Sequence, residues 1–436
     1  MPVLAAHKGL DYGFRDLLRL LSSVVNFTPV LMPPTSNFQP PTSNPKLHPA
    51  ARMGNFPPYF FHGLSQRIGA LRARGVDVIR MDMGSPDLPP APHVIDALKK
   101  SADDPGHHGY MPFDGTPNYR QAWSDFYGKR FGVELDPNTE LVGLLGSKEG
   151  VFNLALAWLD PGDVALVPDP GYAPYTAGAK FAGAEVVYMP LLEDNDFLPD
   201  FDAIPRDTLQ RARLMWLNYP NNPTGATAGP EFFAKAVALA HEWGFLLAHD
   251  APYMEIAYGG YRPPSILQIP NAKEVGIEFN SMSKSYNMAG WRAGVACGHP
   301  AAIEALATLK TNVDAGSFQP ILDASAAALT GDQTWLAERN EQYRVRRDLA
   351  VEALHEAGMR VKTPAAAIYV WARLPESVNE TNYAADLLDA VGVSVTPGTV
   401  FGPGGKGYIR ISLGTPTERV REAMGRVRGF GVRGGS

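Results

Sequence analysis

Three apolar runs in succession, each released into a cluster of polar residues, constrain this chain more than any other feature. Residues 214–217 lead into Asn218-Tyr219-Pro220-Asn221-Asn222-Pro223-Thr224-Gly225, residues 245–249 into Asp250-Ala251-Pro252-Tyr253, and residues 275–279 into Asn280-Ser281-Met282-Ser283-Lys284. Short buried strands that alternate with helices imply a parallel sheet, because parallel neighbours need a crossover that packs on the sheet's face. One carboxyl edge then gathers Asn222, Asp250 and the Ser281 to Lys284 turn, at the place where open α/β proteins bind ligands. Lys284 stands there among hydroxyls, with Arg292 a short helix further on. An amine attacks a carbonyl only when unprotonated, so a working lysine needs desolvation or a cationic neighbour. Arg292 could be that neighbour or could grip an anion. Read alone, Lys284 is a solvated loop lysine and Asp250 a helix cap, and it is their context that gives them other roles.

Length and composition bound the rest. A chain of 436 residues exceeds one typical core, so two domains or one large one with an appendage are expected. The formal net charge of −6 comes with no basic block, which argues against nucleic acid as a partner. The single cysteine, Cys297, sits in an apolar run, so a buried thiol is expected, with neither an intrachain disulfide nor a multi-cysteine metal site. His107 and His108 lack ligand spacing and read as loop residues, and no metal is expected. No apolar run reaches membrane-spanning length and no cleavable signal is recognisable, which points to a cytoplasmic protein without a membrane partner.

Residues 1–52 differ in character from the remainder of the chain. Residues 11–25 have an amphipathic helical pattern, and Pro33-Pro34-Thr35-Ser36-Asn37 recurs as Pro40-Pro41-Thr42-Ser43-Asn44. Such a Pro-rich, low-complexity run cannot build a core, so residues 1–52 are expected to be a disordered extension, with Met53 as the physiological start. Downstream, residues 61–73 read as a helix, 76–83 as an alternating strand ending at Gly84, and 94–100 as a helix. Residues 141–145 are apolar, and Gly146-Ser147-Lys148-Glu149-Gly150 then opens a helix to residue 159. The free N–H groups of a first helical turn, together with the helix dipole, make that junction an anion site. Strands are predicted at 164–167 and 185–189, followed by a helix bracketed by Pro230 and Gly244. From 301 to 355 the pattern is helical, broken near Phe318-Gln319-Pro320 and Gly331. A smaller α+β unit completes the chain, with strands at 367–372, 393–395 and 408–413 and helices at 383–390 and the end. The glycine-rich residues 402–407 read as a flexible connection.

The segment Ser281-Met282-Ser283-Lys284 with Gly290-Trp291-Arg292 resembles the cofactor-lysine segment of the class I/II aminotransferases. Further motifs occur in that family's order between about residues 56 and 427, closest to the branch of prokaryotic aspartate, alanine and LL-diaminopimelate aminotransferases. The resemblance implies fold type I: a large α/β domain with a mostly parallel seven-stranded sheet between helices, plus a smaller α+β domain. It implies pyridoxal 5′-phosphate (PLP) as cofactor, held by Lys284 as a Schiff base, and transfer of an L-amino acid's amino group to a 2-oxo acid. Lys284, Asp250 and Tyr253 then carry the catalysis. Ser147, Lys148, Ser281, Ser283 and Arg292 surround the phosphate, and Tyr172 stacks on the pyridine. Asp250 pairs with the ring nitrogen, and Asn222 and Tyr253 reach the phenolic oxygen. Tyr110 resembles the tyrosine that crosses to a neighbouring subunit's phosphate, which implies a homodimer with shared active sites. Gly84, Asn222 and Arg410 fall to the substrate, Arg410 holding its α-carboxylate with two parallel hydrogen bonds.

The domain division expected is 53–100 as an N-terminal segment of the small domain, 101–325 as the PLP-binding domain, and 326–436 as the small α+β domain. Ala365-Ala366-Ala367-Ile368-Tyr369 departs from the family's glycine-containing stretch, and a Cβ there could narrow the pocket. Two other functions remain open on the sequence alone. A β-eliminating carbon–sulfur lyase shares the cofactor and would release pyruvate and ammonia. A non-catalytic aminotransferase-like ligand sensor would show neither cofactor absorbance nor transamination.

Overall fold

The computed structural model describes residues 48–56 and 59–432. Residues 1–47, with most of the proposed extension and the amphipathic stretch at 11–25, lie outside the described residues. The chain divides into two units, Met1–Pro58 and Tyr59–Ser436. The first carries a 3₁₀ turn at Ala51–Asn55 among its described residues. Among the described residues, the second holds all of the strands and the long helices.

Its first strand, β1 (Ile79–Arg80), is shorter than the alternating run of residues 76–83 suggested. The next seven are β2 (Leu141–Leu144), β3 (Val164–Asp169), β4 (Glu185–Pro190), β5 (Ala212–Leu217), β6 (Leu246–Asp250), β7 (Gly276–Ser281) and β8 (Gly294–Gly298). They form one sheet in the order β2-β8-β7-β6-β5-β3-β4. β4, β3, β5, β6 and β7 are mutually parallel, while β8 runs antiparallel to both its neighbours, β7 and β2. A mostly parallel sheet is what the apolar runs implied, and its seven strands are what the family resemblance implied. Residues 282–293 join β7 to β8 through one short helical turn and a 3₁₀ turn, with no helix long enough to pack across the sheet face, and β8 returns antiparallel beside β7.

Both faces of the sheet are buried, which is why its strands read as continuous apolar runs. Leu214, Trp216, Leu246, Ala248, Ile277 and Phe279 share one core with helices Ser147–Trp158, Ala173–Ala182 and Pro300–Val313. Met215, Leu217, Leu247, Val295 and Cys297 alternate onto the other, against helices Pro117–Phe131, Pro230–Trp243 and Gln319–Thr330. Cys297 is the buried free thiol expected. The long helical region resolves into Pro300–Val313, Gln319–Thr330 and Trp335–Glu356, with one break just ahead of Pro320 and another opening at Gly331.

A second apolar core belongs to the C-terminal region. There β9 (Arg360–Val361), β10 (Tyr369–Arg373), β12 (Thr396–Pro397) and β13 (Tyr408–Ser412) form an antiparallel sheet in the order β12-β13-β10-β9, and β11 (Val393–Ser394) pairs with β1. Residues 402–407 are ordered rather than a loose connection. The Gly404 N–H donates to both oxygens of Asp169 at 2.9 and 3.0 Å, and that carboxylate is the end of β3, a strand running two residues beyond the expected 164–167. No described helix is long and apolar enough to cross a membrane.

One polar network lies inside the large core. The Glu278 carboxylate accepts from Tyr127 Oη at 2.7 Å, Ser265 Oγ at 2.9 Å and the Ile266 N–H at 2.9 Å, and faces His249 Nδ1 at 2.8 Å. His249 Nε2 in turn faces the Tyr219 carbonyl at 2.9 Å. Buried polar groups stabilise a fold only when matched in this way. Glu278→Ala leaves four groups without their partner and is expected to cost about 3–5 kcal/mol. Urea denaturation measures it, and a loss below about 1 kcal/mol would show that the network is not stabilising.

Candidate active site

Every parallel strand of the sheet except β4 delivers residues of interest at its carboxyl end. Asp250 is the last residue of β6 and Asn218 follows β5 directly. Asn218 Nδ2 donates to the Asp250 carbonyl at 2.6 Å, and its Oδ1 accepts from the Asn222 N–H at 2.8 Å. Two strand ends are thereby tied through one amide. The Asp250 side chain lies on the same face as Leu246 and Ala248, where Tyr175 Oη donates to its Oδ2 at 2.7 Å. Its Oδ1 is buried with no hydrogen-bond partner. Burial raises the Asp250 pKa to about 6, against the opposing effect of the Tyr175 hydrogen bond.

Lys284 sits in the single turn Met282–Ser285 that follows β7. Ser281 caps this turn, its hydroxyl accepting from the Ser283 N–H at 3.1 Å. The buried guanidinium of Arg339 donates to the carbonyls of Ser285 and Lys284, so the turn is gripped from behind. The Lys284 ammonium donates to the Gly84 carbonyl. Burial first, then the positive charges of Arg410 and Arg292, lower its pKa to about 8, within reach of the free amine near neutral pH.

An anion cradle stands beside it. Gly146 caps the helix Ser147–Trp158 at φ +81°, and a Cβ there would strike the Arg292 guanidinium. Both the conformation and the space call for glycine. Arg292 donates to the Leu145 carbonyl at 3.0 Å, the Ala289 carbonyl at 3.0 Å and Ser283 Oγ at 3.4 Å. The Lys148 ammonium lies 4.7 Å from the centre of the Tyr59 ring, and burial, then Arg292, lowers its pKa. Tyr172 is the N-cap residue of helix Ala173–Ala182 and meets Tyr175 edge-on at 5.7 Å.

The C-terminal sheet closes the group. Arg410, buried on β13, donates to Asn222 Oδ1 at 2.7 Å and to the Asp82 carbonyl at 2.7 Å. Tyr369 and Phe401 lie against the guanidinium, their ring centres 4.3 and 4.5 Å away, and its Nε is buried without a partner. Tyr253 Oη lies 2.8 Å from Tyr369 Oη. Burial, then Tyr369, pushes the Tyr253 phenol well above its ordinary value.

Lys284, Arg292, Ser283, Ser147, Asn222, Arg410, Asp250, Tyr253, Tyr172, Lys148, Ser281 and Gly84 thus belong to one edge or its lid. Tyr110 does not join them: it is 92% exposed. The motifs did not reveal Asn218, Tyr175, Arg339 or Tyr369. Asn218 opens the Asn-Tyr-Pro-Asn-Asn run and could have been suspected from it. Tyr369 closes the Ala365 to Tyr369 stretch marked as a departure and could have been suspected from it, whereas Tyr175 and Arg339 act from helices with no local pattern to mark them.

A lysine amine at a parallel sheet's carboxyl edge, with an anion cradle on one side and a buried carboxylate on the other, defines a fold type I cofactor site. The family model for aminotransferases of class I and II matches residues 76–427. The LL-diaminopimelate aminotransferase of Desulforudis audaxviator is 50% identical over 380 residues, 87% of this chain and 97% of that protein. Among solved structures, substrate-bound BacF from Bacillus subtilis has a TM-score of 0.86 at 37% identity, covering 89% of this chain and 99% of its own. A probable N-succinyldiaminopimelate aminotransferase from Thermus thermophilus has a TM-score of 0.80 at 37% identity, covering 85% and 99%. The chain belongs to the class I and II aminotransferase family. It is a PLP-dependent aminotransferase, and the findings favour amino-group transfer over both the lyase and the sensor.

The raised pKa of Asp250 has a thermodynamic sign. The folded state holds this proton more tightly than an exposed aspartate at 3.8, so stability is largest at low pH and is lost as pH rises from 3.8 through about 6. Asp250→Asn removes that loss. The cofactor-free variant should gain on cofactor-free wild type by about 2 kcal/mol between pH 4 and pH 7. Thermal unfolding across that range measures the gap, and a gap independent of pH is the contrary result.

Proposed function

We propose that this chain transfers the α-amino group of LL-diaminopimelate to a 2-oxo acid, and that the residues gathered at the sheet edge do so in the roles their positions suggest. The half-identity to the Desulforudis enzyme over nearly its whole length carries the choice of donor. The residues present fit PLP. Asp250 Oδ1, buried and unmatched, suits a protonated ring nitrogen, and the Gly146 cradle with Ser147, Ser281, Ser283, Lys148 and Arg292 suits a phosphate. Tyr172 would cover the ring face, and Asn222 and Tyr253 would reach the phenolic oxygen. The Asn222 amide is already oriented for this, since its Oδ1 is taken by Arg410 and its Nδ2 is left to donate.

When bound, the cofactor supplies an electron sink for the negative charge left at the substrate's Cα. Arg410 binds the α-carboxylate through two parallel hydrogen bonds. Gly84 lets the chain pass close to the substrate, and its carbonyl holds the Lys284 amine. Lys284 Nζ removes the Cα proton, a task suited to an amine whose pKa is lowered to about 8. The surrounding core excludes bulk water, which strengthens each of these interactions.

We assign Tyr110 to a second copy of the chain. It is 92% exposed beside the exposed Phe113, while Val313 and Phe318 are also exposed and Phe318 packs 5.5 Å from His108. An apolar surface of that kind suits an interface, and a homodimer with shared sites follows. The division into 53–100, 101–325 and 326–436 and a cytoplasmic location belong to the same reading; the C-terminal strands have an apolar core that takes in Ile79 and Met81, while Ala91 and Val94 pack in the large one.

With 2-oxoglutarate as acceptor, LL-diaminopimelate should exceed aspartate, alanine, glutamate and aromatic donors in kcat/KM by about 10²-fold. Equal or better turnover of N-succinyl-LL-diaminopimelate or of aspartate would reject the donor. Lys284→Ala should lower kcat by at least about 10²–10⁴-fold while the protein stays folded, and a variant with wild-type turnover would remove the lysine from its place.

A further inference from the structure

Tyr369 has no part in the roles above, yet it touches two of the groups that carry them. Its hydroxyl is 2.8 Å from that of Tyr253, and the two rings meet edge-on at 5.5 Å and 79°. The Arg410 guanidinium lies 4.3 Å from its ring centre. Room for the hydroxyl exists only because residue 84 is glycine: a Cβ there would collide with Tyr369 Oη. The same Gly84 accepts from Lys284 through its carbonyl.

The fold enforces this placement from two directions. Tyr369 begins β10, opposite Ser412, while Arg410 on β13 lies opposite Trp371, so Tyr369 and Arg410 are diagonal cross-strand neighbours. The residues just before Tyr369 are bound to those just after Tyr253. Ala366 bridges Ala257, the Ala367 N–H donates to the Ile256 carbonyl at 3.0 Å, and the Tyr258 N–H donates to the Ala365 carbonyl at 2.8 Å. The alanines that replace the family's glycine-containing stretch therefore hold one tyrosine against the other.

We propose that Tyr369 is a positioning residue with two separable parts. Its hydroxyl donates to Tyr253 Oη, leaving the Tyr253 proton to point at the cofactor's phenolic oxygen, and its ring face fixes the plane of Arg410 for the α-carboxylate. A hydroxyl has one proton to donate. If Tyr253 gave it to Tyr369, none would remain for the phenolic oxygen, whereas the opposite direction makes a chain in which each bond strengthens the next. The inference rests on the roles proposed for Tyr253 and Arg410, and its test separates the two.

The test uses the holoenzyme, its absorbance titrated with pH and its kcat and KM measured separately. Tyr253→Phe is the reference for the underlying reading and should raise the pH at which the bound cofactor's visible absorbance changes. Tyr369→Phe, which keeps the ring, should raise the same midpoint by about 0.5 to 1 pH unit and leave KM for the amino donor within about twofold. Tyr369→Met, which fills the space without a π face, should show that shift and also raise KM by about tenfold. Tyr369→Leu takes its place if the Met variant does not accumulate. A Tyr369→Phe titration that overlays wild type, while Tyr253→Phe is shifted, removes the hydroxyl's part alone. An unshifted Tyr253→Phe overturns the role of Tyr253 and the hydroxyl's part with it. A KM unchanged without the ring overturns the guanidinium's part.

Discussion

A carboxylate held at the end of a central parallel strand, with one oxygen matched by Tyr175 and the other left without a partner, is the constraint on which the site depends. Burying it penalises the ionised form, and the fold bears that penalty only because β6 is fixed on both sides, by β5 and by β7. A cationic ring nitrogen placed against the free oxygen turns the penalty into an attraction, in a medium where charges act strongly on one another. In the reading proposed for Asp250, cofactor binding and its unfavourable burial are two descriptions of one interaction. Lys284 is the mirror case: an amine kept short of its ordinary basicity by the same dry surroundings and by two arginines.

The C-terminal sheet is more than a cover. Through Arg410 it reaches Asn222, which follows β5, and through Tyr369 it reaches Tyr253, which follows β6. Both contacts converge on groups proposed for the phenolic oxygen, so the element proposed to read the substrate's carboxylate also touches the groups proposed around the cofactor. Movement of the small sheet against the large one would alter substrate grip and cofactor electrostatics together. Arg339 adds a third link, joining the long helix Trp335–Glu356 to the carbonyls of the lysine turn.

Much of this was legible in the chain. The apolar runs before Asn218, Asp250 and Ser281 are buried on both faces, and that burial is what made them readable as strands of a parallel sheet. Gly146 announced a helix start because its φ of +81° suits no other residue well. Less legible were elements whose state depends on a distant partner. Residues 76–83 alternate like a strand, but only Ile79 and Arg80 find one to pair with, in β11. Residues 402–407 look loose by composition and are ordered because Asp169 binds the Gly404 N–H.

By itself the sequence determined which residues could do chemistry and along which edge they would gather, because strand direction and apolar periodicity are local properties of the chain. Only the tertiary structure decided how those residues are tuned. That Asp250 is matched by Tyr175 through one oxygen only, that Tyr253 shares a hydrogen bond with Tyr369, and that Arg410 donates to Asn222 are facts about groups 75, 116 and 188 positions apart. Burial and pairing at that range are set by packing, which no stretch of neighbouring residues encodes.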